Sequence, residues 1–195
     1  MKFKTLSSNL ENQILGPLEF FPEIFHDERG YFIESWNKNK FNNGLKKKII
    51  FVQDNESMSK KGVLRGLHYQ LPPYGQDKLI RVINGSIYDV IVDLRKDSPT
   101  FMEWTGVKIC STIKNQLWIP KGFAHGFLTL SNSAIIQYKV TNFWSKEHER
   151  TLIWNDEDIK IVWPSNFFGN KEFLISKKDT NGESYKSLLK SCSLF

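Results

Sequence analysis

Two short runs carry the residues best suited to moving a proton. GVLRGLHYQ, Gly62 to Gln70, contains His68, and IPKGFAHGF, Ile119 to Phe127, contains His125. Each histidine sits in an apolar, β-prone stretch punctuated by glycine. An imidazole takes or gives a proton near neutral pH, so one held in a dry pocket is a natural general base. Local sequence alone leaves the choice open. His68 could equally be a hydrogen-bonded structural residue on a strand, and His125 a turn histidine.

Neighbouring residues add to the chemistry. Arg65 lies three positions before His68, and Lys78 follows a Pro72-Pro73 turn. An arginine grips a phosphate with two parallel bonds, and a lysine stabilises a developing oxyanion. Strict strand alternation would put Arg65 and His68 on opposite faces. A bulge or twist at Gly66 would relieve that. Gly122 and Gly126 flank His125 and would let the backbone approach a ligand closely. Tyr138, followed by Lys139, is a possible acid or a half-buried sheet residue.

Strands must position these groups. Strand signals dominate from Phe20 to Val140, with stretches at Tyr31–Ser35, Ile49–Asn55, Val63–Gln70 and Trp104–Ile109. RVINGSIYDVIVD, Arg81 to Asp93, predicts a hairpin turning at Asn84-Gly85, because Gly tolerates the positive φ such a turn needs. Phe127–Val140 predicts a second around Ser131-Asn132-Ser133. Helices are expected only at Asn37–Asn43 and Glu183–Lys190. Many short strands with turns between them suggest an antiparallel sandwich or barrel. No repeat or low-complexity linker interrupts the chain. One domain over residues 1–195, with a C-terminal extension from about 180, is the economical reading.

A length of 195 residues suits one domain with a sizeable core, and 40% hydrophobic with 14% aromatic residues argues against disorder. No run is long enough to cross a bilayer, and Met1–Leu18 lacks the apolar core and cleavage site of a secretion signal. Cys110 and Cys192 belong to no zinc or redox pattern, so a reduced cytoplasmic protein is expected. The net charge of +6 is dispersed, as at Lys46–Lys48, and no nucleic-acid-binding motif accompanies it. A solvated basic surface is favoured over a nucleic-acid partner.

Other chemistries lack their residues. His68 is followed by Tyr69 and Gln70, so the His-x-His pair of metal-binding barrels is absent, and no catalytic metal is expected. No phosphate-binding glycine loop suggests NAD or ATP. No GxSxG or Cys/His arrangement supports a covalent nucleophile.

With these residues assembled, the chain resembles the dTDP-4-dehydrorhamnose 3,5-epimerase family of cupin-fold enzymes, from about Phe20 to Asp179. FHDERGYFIES (Phe25–Ser35), FVQDN (Phe51–Asn55), GVLRGLHYQ, KLIRV (Lys78–Val82), DSPTF (Asp97–Phe101), LWIPKGFAHGF (Leu117–Phe127), Tyr138-Lys139, WND (Trp154–Asp156) and SKKD (Ser176–Asp179) carry the resemblance. Each is weak alone; all of them in order are specific.

The resemblance implies a jelly-roll fold, a homodimer exchanging N-terminal strands, no cofactor, and a dTDP-linked 4-keto-6-deoxy sugar as substrate. By similarity His68 matches the general base, Asp179 the carboxylate that orients it, Tyr138 the acid across the sugar, and Lys78 the cation facing the keto oxygen, with His125 beside it. Arg65 and Lys178 match diphosphate contacts. Arg29, Glu34, Gln53, Asp54 and Asn55 fall in nucleotide- and substrate-binding motifs, partly reached from the partner subunit. Glu149 matches a further substrate contact. Phe143-Trp144 replaces two tyrosines found in many members, and Trp144 matches the ring that stacks on thymine. Its π face keeps the stacking, while any phenol hydrogen bond is lost.

The expected reaction is inversion at C3 and C5 of dTDP-4-keto-6-deoxy-D-glucose. A mono-epimerase, an epimerase of another nucleotide-linked 4-keto sugar, a keto-isomerase and a non-catalytic sugar-nucleotide binding module are the alternatives.

Overall fold

The computed structural model describes residues 2–165 and 172–195. Its strands are β1 (Lys2–Ser7), β2 (Gln13–Phe21), β3 (Ile24–Asp27), β4 (Gly30–Ile33), β5 (Gln53–Lys60), β6 (Val63–Gln70), β7 (Lys78–Asn84), β8 (Ser86–Asp93), β9 (Trp104–Cys110), β10 (Gln116–Ile119), β11 (Phe123–Thr129), β12 (Ser133–Val140), β13 (Glu149–Thr151) and β14 (Leu174–Ile175). The helices are α1 (Lys38–Leu45), α2 (Lys177–Thr180) and α3 (Tyr185–Lys190). One sheet runs β1-β2-β10-β7-β12-β5 and the other β13-β6-β11-β8-β9, with β14 also on β6 and β3-β4 a separate hairpin. This is the mainly β, cupin-type jelly-roll sandwich the sequence suggested.

The two sheets face each other across an apolar layer. Alternation selects its members: Ile80 and Val82 from β7, Ile136 from β12 and Leu117 and Ile119 from β10 meet Ile87 and Ile91 from β8 and Phe123 and Phe127 from β11. The opposite parity of β8 and β11, Val90, Val92, Ala124 and Leu128, packs on the other face of the second sheet under Leu152, Ile159, Trp163, Leu188 and Leu194. The chain after β12 therefore covers that face, with α3 contributing Leu188. Phe41 of α1 seals the outer face of the first sheet against Phe20 and Trp118. Asn37 caps α1, its side chain accepting from the Asn39 and Lys40 amides.

Both expected hairpins are absent. Asn84-Gly85 joins β7 of the first sheet to β8 of the second, and Ser131-Asn132 joins β11 to β12 in the same way. Each is a corner between layers. Gly85 does take a positive φ, +84°, but its second role is contact: a Cβ there would collide with the Ser133 carbonyl. The Ser131 hydroxyl ties the corners together, accepting from the Ser86 amide at 2.8 Å. Turn chemistry specifies a reversal, whereas the layer entered afterwards depends on partners remote in sequence. β5 also starts later than expected, at Gln53 rather than Ile49.

Candidate active site

The candidate side chains continue the inward-facing rows of the apolar layer. Lys78 precedes Ile80 and Val82 on β7, Tyr138 follows Ala134 and Ile136 on β12, and His125 lies between Phe123 and Phe127 on β11. Together with His68 on β6 they line one pocket of about 230 Å³. Arg65, Glu149 and Trp144 complete its wall with Ser57, Gln70 and Gln76. First-sheet residues thus face second-sheet residues across the cavity.

Arg65 and His68 share this pocket because β6 is irregular between them. His125 pairs with His68 and Phe127 with Arg65, so Gly66 and Leu67 stand against the single residue Gly126. That is the bulge that reverses the facing of one side chain. Gly66 has φ +116°, and the Gly66–Leu67 peptide is cis. Gly126 is needed for the close approach: a Cβ there would lie 2.6 Å from the Arg65 carbonyl.

His68 Nε2 lies 2.5 Å from Asp179 Oδ1. Asp179 is buried in α2, whose N-cap Ser176 accepts from the Asp179 amide at 3.2 Å. Burial raises the Asp179 carboxyl, but hydrogen bonds from His68, Ser176 and the Gly66 amide and the His68 charge outweigh it and hold it below the usual carboxylate value. An ionised Asp179 accepts the Nε2 proton, which leaves Nδ1 to receive another.

Lys78 is nearly buried, and its ammonium lies 3.4 Å from the His68 carbonyl. Burial brings its pKa down to about 8, against the pull of Asp89 and Glu149. Burial pushes the Tyr138 phenol up, only partly opposed by Arg65, so it keeps its proton at neutral pH. Behind His125 stands Asp89, with Oδ2 2.9 Å from Nε2 and no exposed surface. Sequence reading missed Asp89. The signal was there: in SIYDVIVD it shares the inward parity of Ile87 and Ile91.

The remaining candidates divide. Lys178 pairs with Glu149 at 2.7 Å, which ties α2 to the pocket wall. Arg65 Nε donates to Ser59 Oγ at 3.0 Å. Trp144 is 57% exposed at the mouth, and its loop is anchored by the buried Gln70, which accepts from the Ser145 amide and donates to the Phe143 carbonyl. Gln70 was also missed. Arg29 and Glu34 do not reach this pocket: Arg29 pairs with Asp27 and Glu34 with Lys40. Gln53 and Asn55, joined at 2.7 Å, continue the row of Ser57 along β5. Asp54 has the opposite parity and pairs with Lys139.

Among the described residues no group of three or more His, Cys, Asp or Glu side chains is placed to hold a metal ion, and Cys110 and Cys192 are free thiols. No described helix is long and apolar enough to cross a membrane.

Comparison with known proteins agrees with this geometry. The family model of dTDP-4-dehydrorhamnose 3,5-epimerase matches residues 11–187. The dTDP-4-dehydrorhamnose 3,5-epimerase of Shigella flexneri is 50% identical over 176 residues, 90% of this chain and 94% of that one. The structure is similar to that of dTDP-6-deoxy-D-glucose-3,5-epimerase from Legionella pneumophila in complex with dTDP-4-keto-L-rhamnose, with TM-score 0.87, 38% identity, and 99% and 97% of the two chains covered. It is also similar to a 3'-monoepimerase from Streptomyces bikiniensis in complex with dTDP-quinovose, with TM-score 0.85, 28% identity, and 92% and 88% covered. A model matched over nearly the whole chain, and identity of this extent, mean that the chain belongs to the dTDP-4-dehydrorhamnose 3,5-epimerase family.

Proposed function

We propose that this enzyme, an isomerase, inverts C3 and C5 of dTDP-4-keto-6-deoxy-D-glucose to give dTDP-4-keto-L-rhamnose, with His68 as base and Tyr138 as acid. One observation carries the assignment of roles: His68, backed by Asp179 of α2, comes from the second sheet, and Tyr138 comes from the first, so on this reading they approach a bound ring from opposite sides.

A C–H bond beside a ketone is acidic because the electron pair left behind delocalises onto the carbonyl oxygen as an enolate. C3 and C5 both flank the C4 ketone. His68 Nδ1 takes the proton from one face while negative charge grows on the oxygen, where the Lys78 ammonium meets it. Tyr138 then gives its phenolic proton to the same carbon from the other face, and the electron pair returns from the oxygen. The centre is inverted and nothing is lost from the sugar. His68 then gives its proton up to solvent and Tyr138 regains one from it, and repetition at the second carbon completes the reaction. Proton transfer of this kind contributes ~10²–10⁴-fold, and an oxyanion donor ~10²–10³-fold.

Arg65 and Lys178 supply cations for the diphosphate, and Trp144 a face for the thymine. The scheme uses side chains alone and needs no cofactor. Some of the nucleotide- and substrate-binding motif residues, Arg29 and Glu34 among them, act from a second copy in a homodimer that exchanges N-terminal strands. The exposed Phe25, Phe32, Val52 and Met58 on β3, β4 and β5 and just before β5 support such an interface. The domain works as one unit in the cytoplasm, as the free thiols favour.

The test is incubation of purified protein with the dTDP-linked 4-keto sugar in deuterated water, followed by NMR and mass spectrometry. Deuterium and inversion at both C3 and C5 are expected. Exchange at one carbon only would make it a mono-epimerase. A carbonyl moved to C3 would make it a keto-isomerase. No exchange by folded protein would defeat the reading.

A further inference from the structure

Asp89 has no part in the scheme above, yet it stands directly behind the pocket. It shares the inward face of β8 with Ile87 and Ile91, and all three are completely buried. An apolar residue there would pack like its neighbours, whereas a carboxylate needs partners to remain. Oδ2 has one in His125 Nε2, at 2.9 Å. Oδ1 has no hydrogen-bond partner among the described residues. Val107 of β9 and Phe127 of β11 stand opposite Asp89 in register. Burial raises the Asp89 carboxyl, and His125 from β11 and Lys78 from β7 act in the opposite sense to favour its charge; His68 of β6 lies beyond His125.

Resting on the function proposed above, we infer that Asp89 is a positioning residue for the oxyanion side of the site. Its bond to Nε2 holds His125 in one tautomer and orientation, and its charge keeps Lys78 an ammonium where the enolate forms.

The electrostatics agree. Burial disfavours a charged His125, and Asp89 opposes that. Burial lowers Lys78 to about 8, while Asp89 and Glu149 pull it up and Lys178 pushes it down. The ammonium is present below about pH 8 and is lost as pH rises through it, so kcat/KM falls on that limb. Removal of the Asp89 charge lets the amine lose its proton at lower pH.

Asp89→Asn keeps the shape and removes the charge. We expect kcat to fall ~10–100-fold, the size found when a partner that orients a functional group is removed, with KM little changed. The alkaline limb should move down by ~1–3 pH units. A loss of activity with the limb unmoved would make Asp89 merely structural and overturn the inference. Should the variant not fold, nitrogen-15 NMR of histidine-labelled wild-type protein decides. His125 Nε2 should carry its proton throughout the neutral range; an unprotonated Nε2 would make Asp89 a neutral acid and defeat the inference. That measurement needs no substrate. Failure of the deuterium experiment would therefore count against the proposed reaction, and failure here against Asp89 alone.

Discussion

Gly66 on β6 and Gly126 on β11 approach so closely that a Cβ on Gly66 would lie 2.6 Å from the Gly126 Cα. This contact closes the bulge that turns Arg65 and His68 onto one wall. Alanine at either position overfills the contact, and at Gly66 it must also adopt φ +116°. We expect Gly66→Ala and Gly126→Ala to lose ~1–3 kcal/mol of stability and to lose activity out of proportion to that loss. Thermal melts and turnover measured together check this; wild-type values for both would separate the bulge from the site.

In the proposed mechanism Asp179, bonded to His68 Nε2, keeps the imidazole oriented and receptive. Asp179→Asn should lower kcat ~10²–10⁴-fold, the usual contribution of an acid–base pair. The pH dependence of stability has a definite sign. The folded-state carboxyl lies below its ordinary 3.8. Its contribution to stability is complete above that value and is lost as pH falls through the lowered one. Acid unfolding of the wild type should show this dependence and the asparagine variant should lack it. Coincident acid transitions would contradict it.

Tyr138 is held neutral by burial. In the proposed mechanism Tyr138→Phe removes the proton donor and leaves the base in place. Deuterium should still enter from the His68 side, while inversion falls ~10²–10⁴-fold. His68→Ala should abolish both. Equal loss of exchange and inversion in the phenylalanine variant would argue against a separate acid.

Trp144 presents an exposed face at the pocket mouth. Stacking of a base on an aromatic ring is worth ~1–3 kcal/mol. Trp144→Ala should raise KM for the dTDP sugar by that amount with kcat less affected, and Trp144→Tyr should restore most of it. Unchanged KM in the alanine variant would remove Trp144 from base recognition.

Much of this was legible in the chain. Strand-like composition located β6 at Val63–Gln70 to the residue and β9 nearly so, because β-branched and aromatic residues suit a pleated, half-buried surface. The helices expected at Asn37–Asn43 and Glu183–Lys190 appear as α1 and α3, with no end shifted by more than two residues. Motif order alone brought together His68, Lys78, His125 and Tyr138, which the fold then placed in one pocket.

Facing and partnership needed the tertiary structure. Asn84-Gly85 reads as a hairpin, yet it crosses between sheets, since a turn specifies reversal and the distant β10 and β12 decide which layer β7 joins. The bulge at Gly66 depends on Gly126, sixty positions on, having no Cβ. Asp89 is an acidic letter in a strand until His125 and Lys78 close around it. Sequence by itself determined which chemical groups exist and which strands carry them, because those follow from local periodicity. Only the packed sheets decided that His68 and Tyr138 face one pocket from different layers, because the distance between residues remote in the chain is set by the layers that bury them.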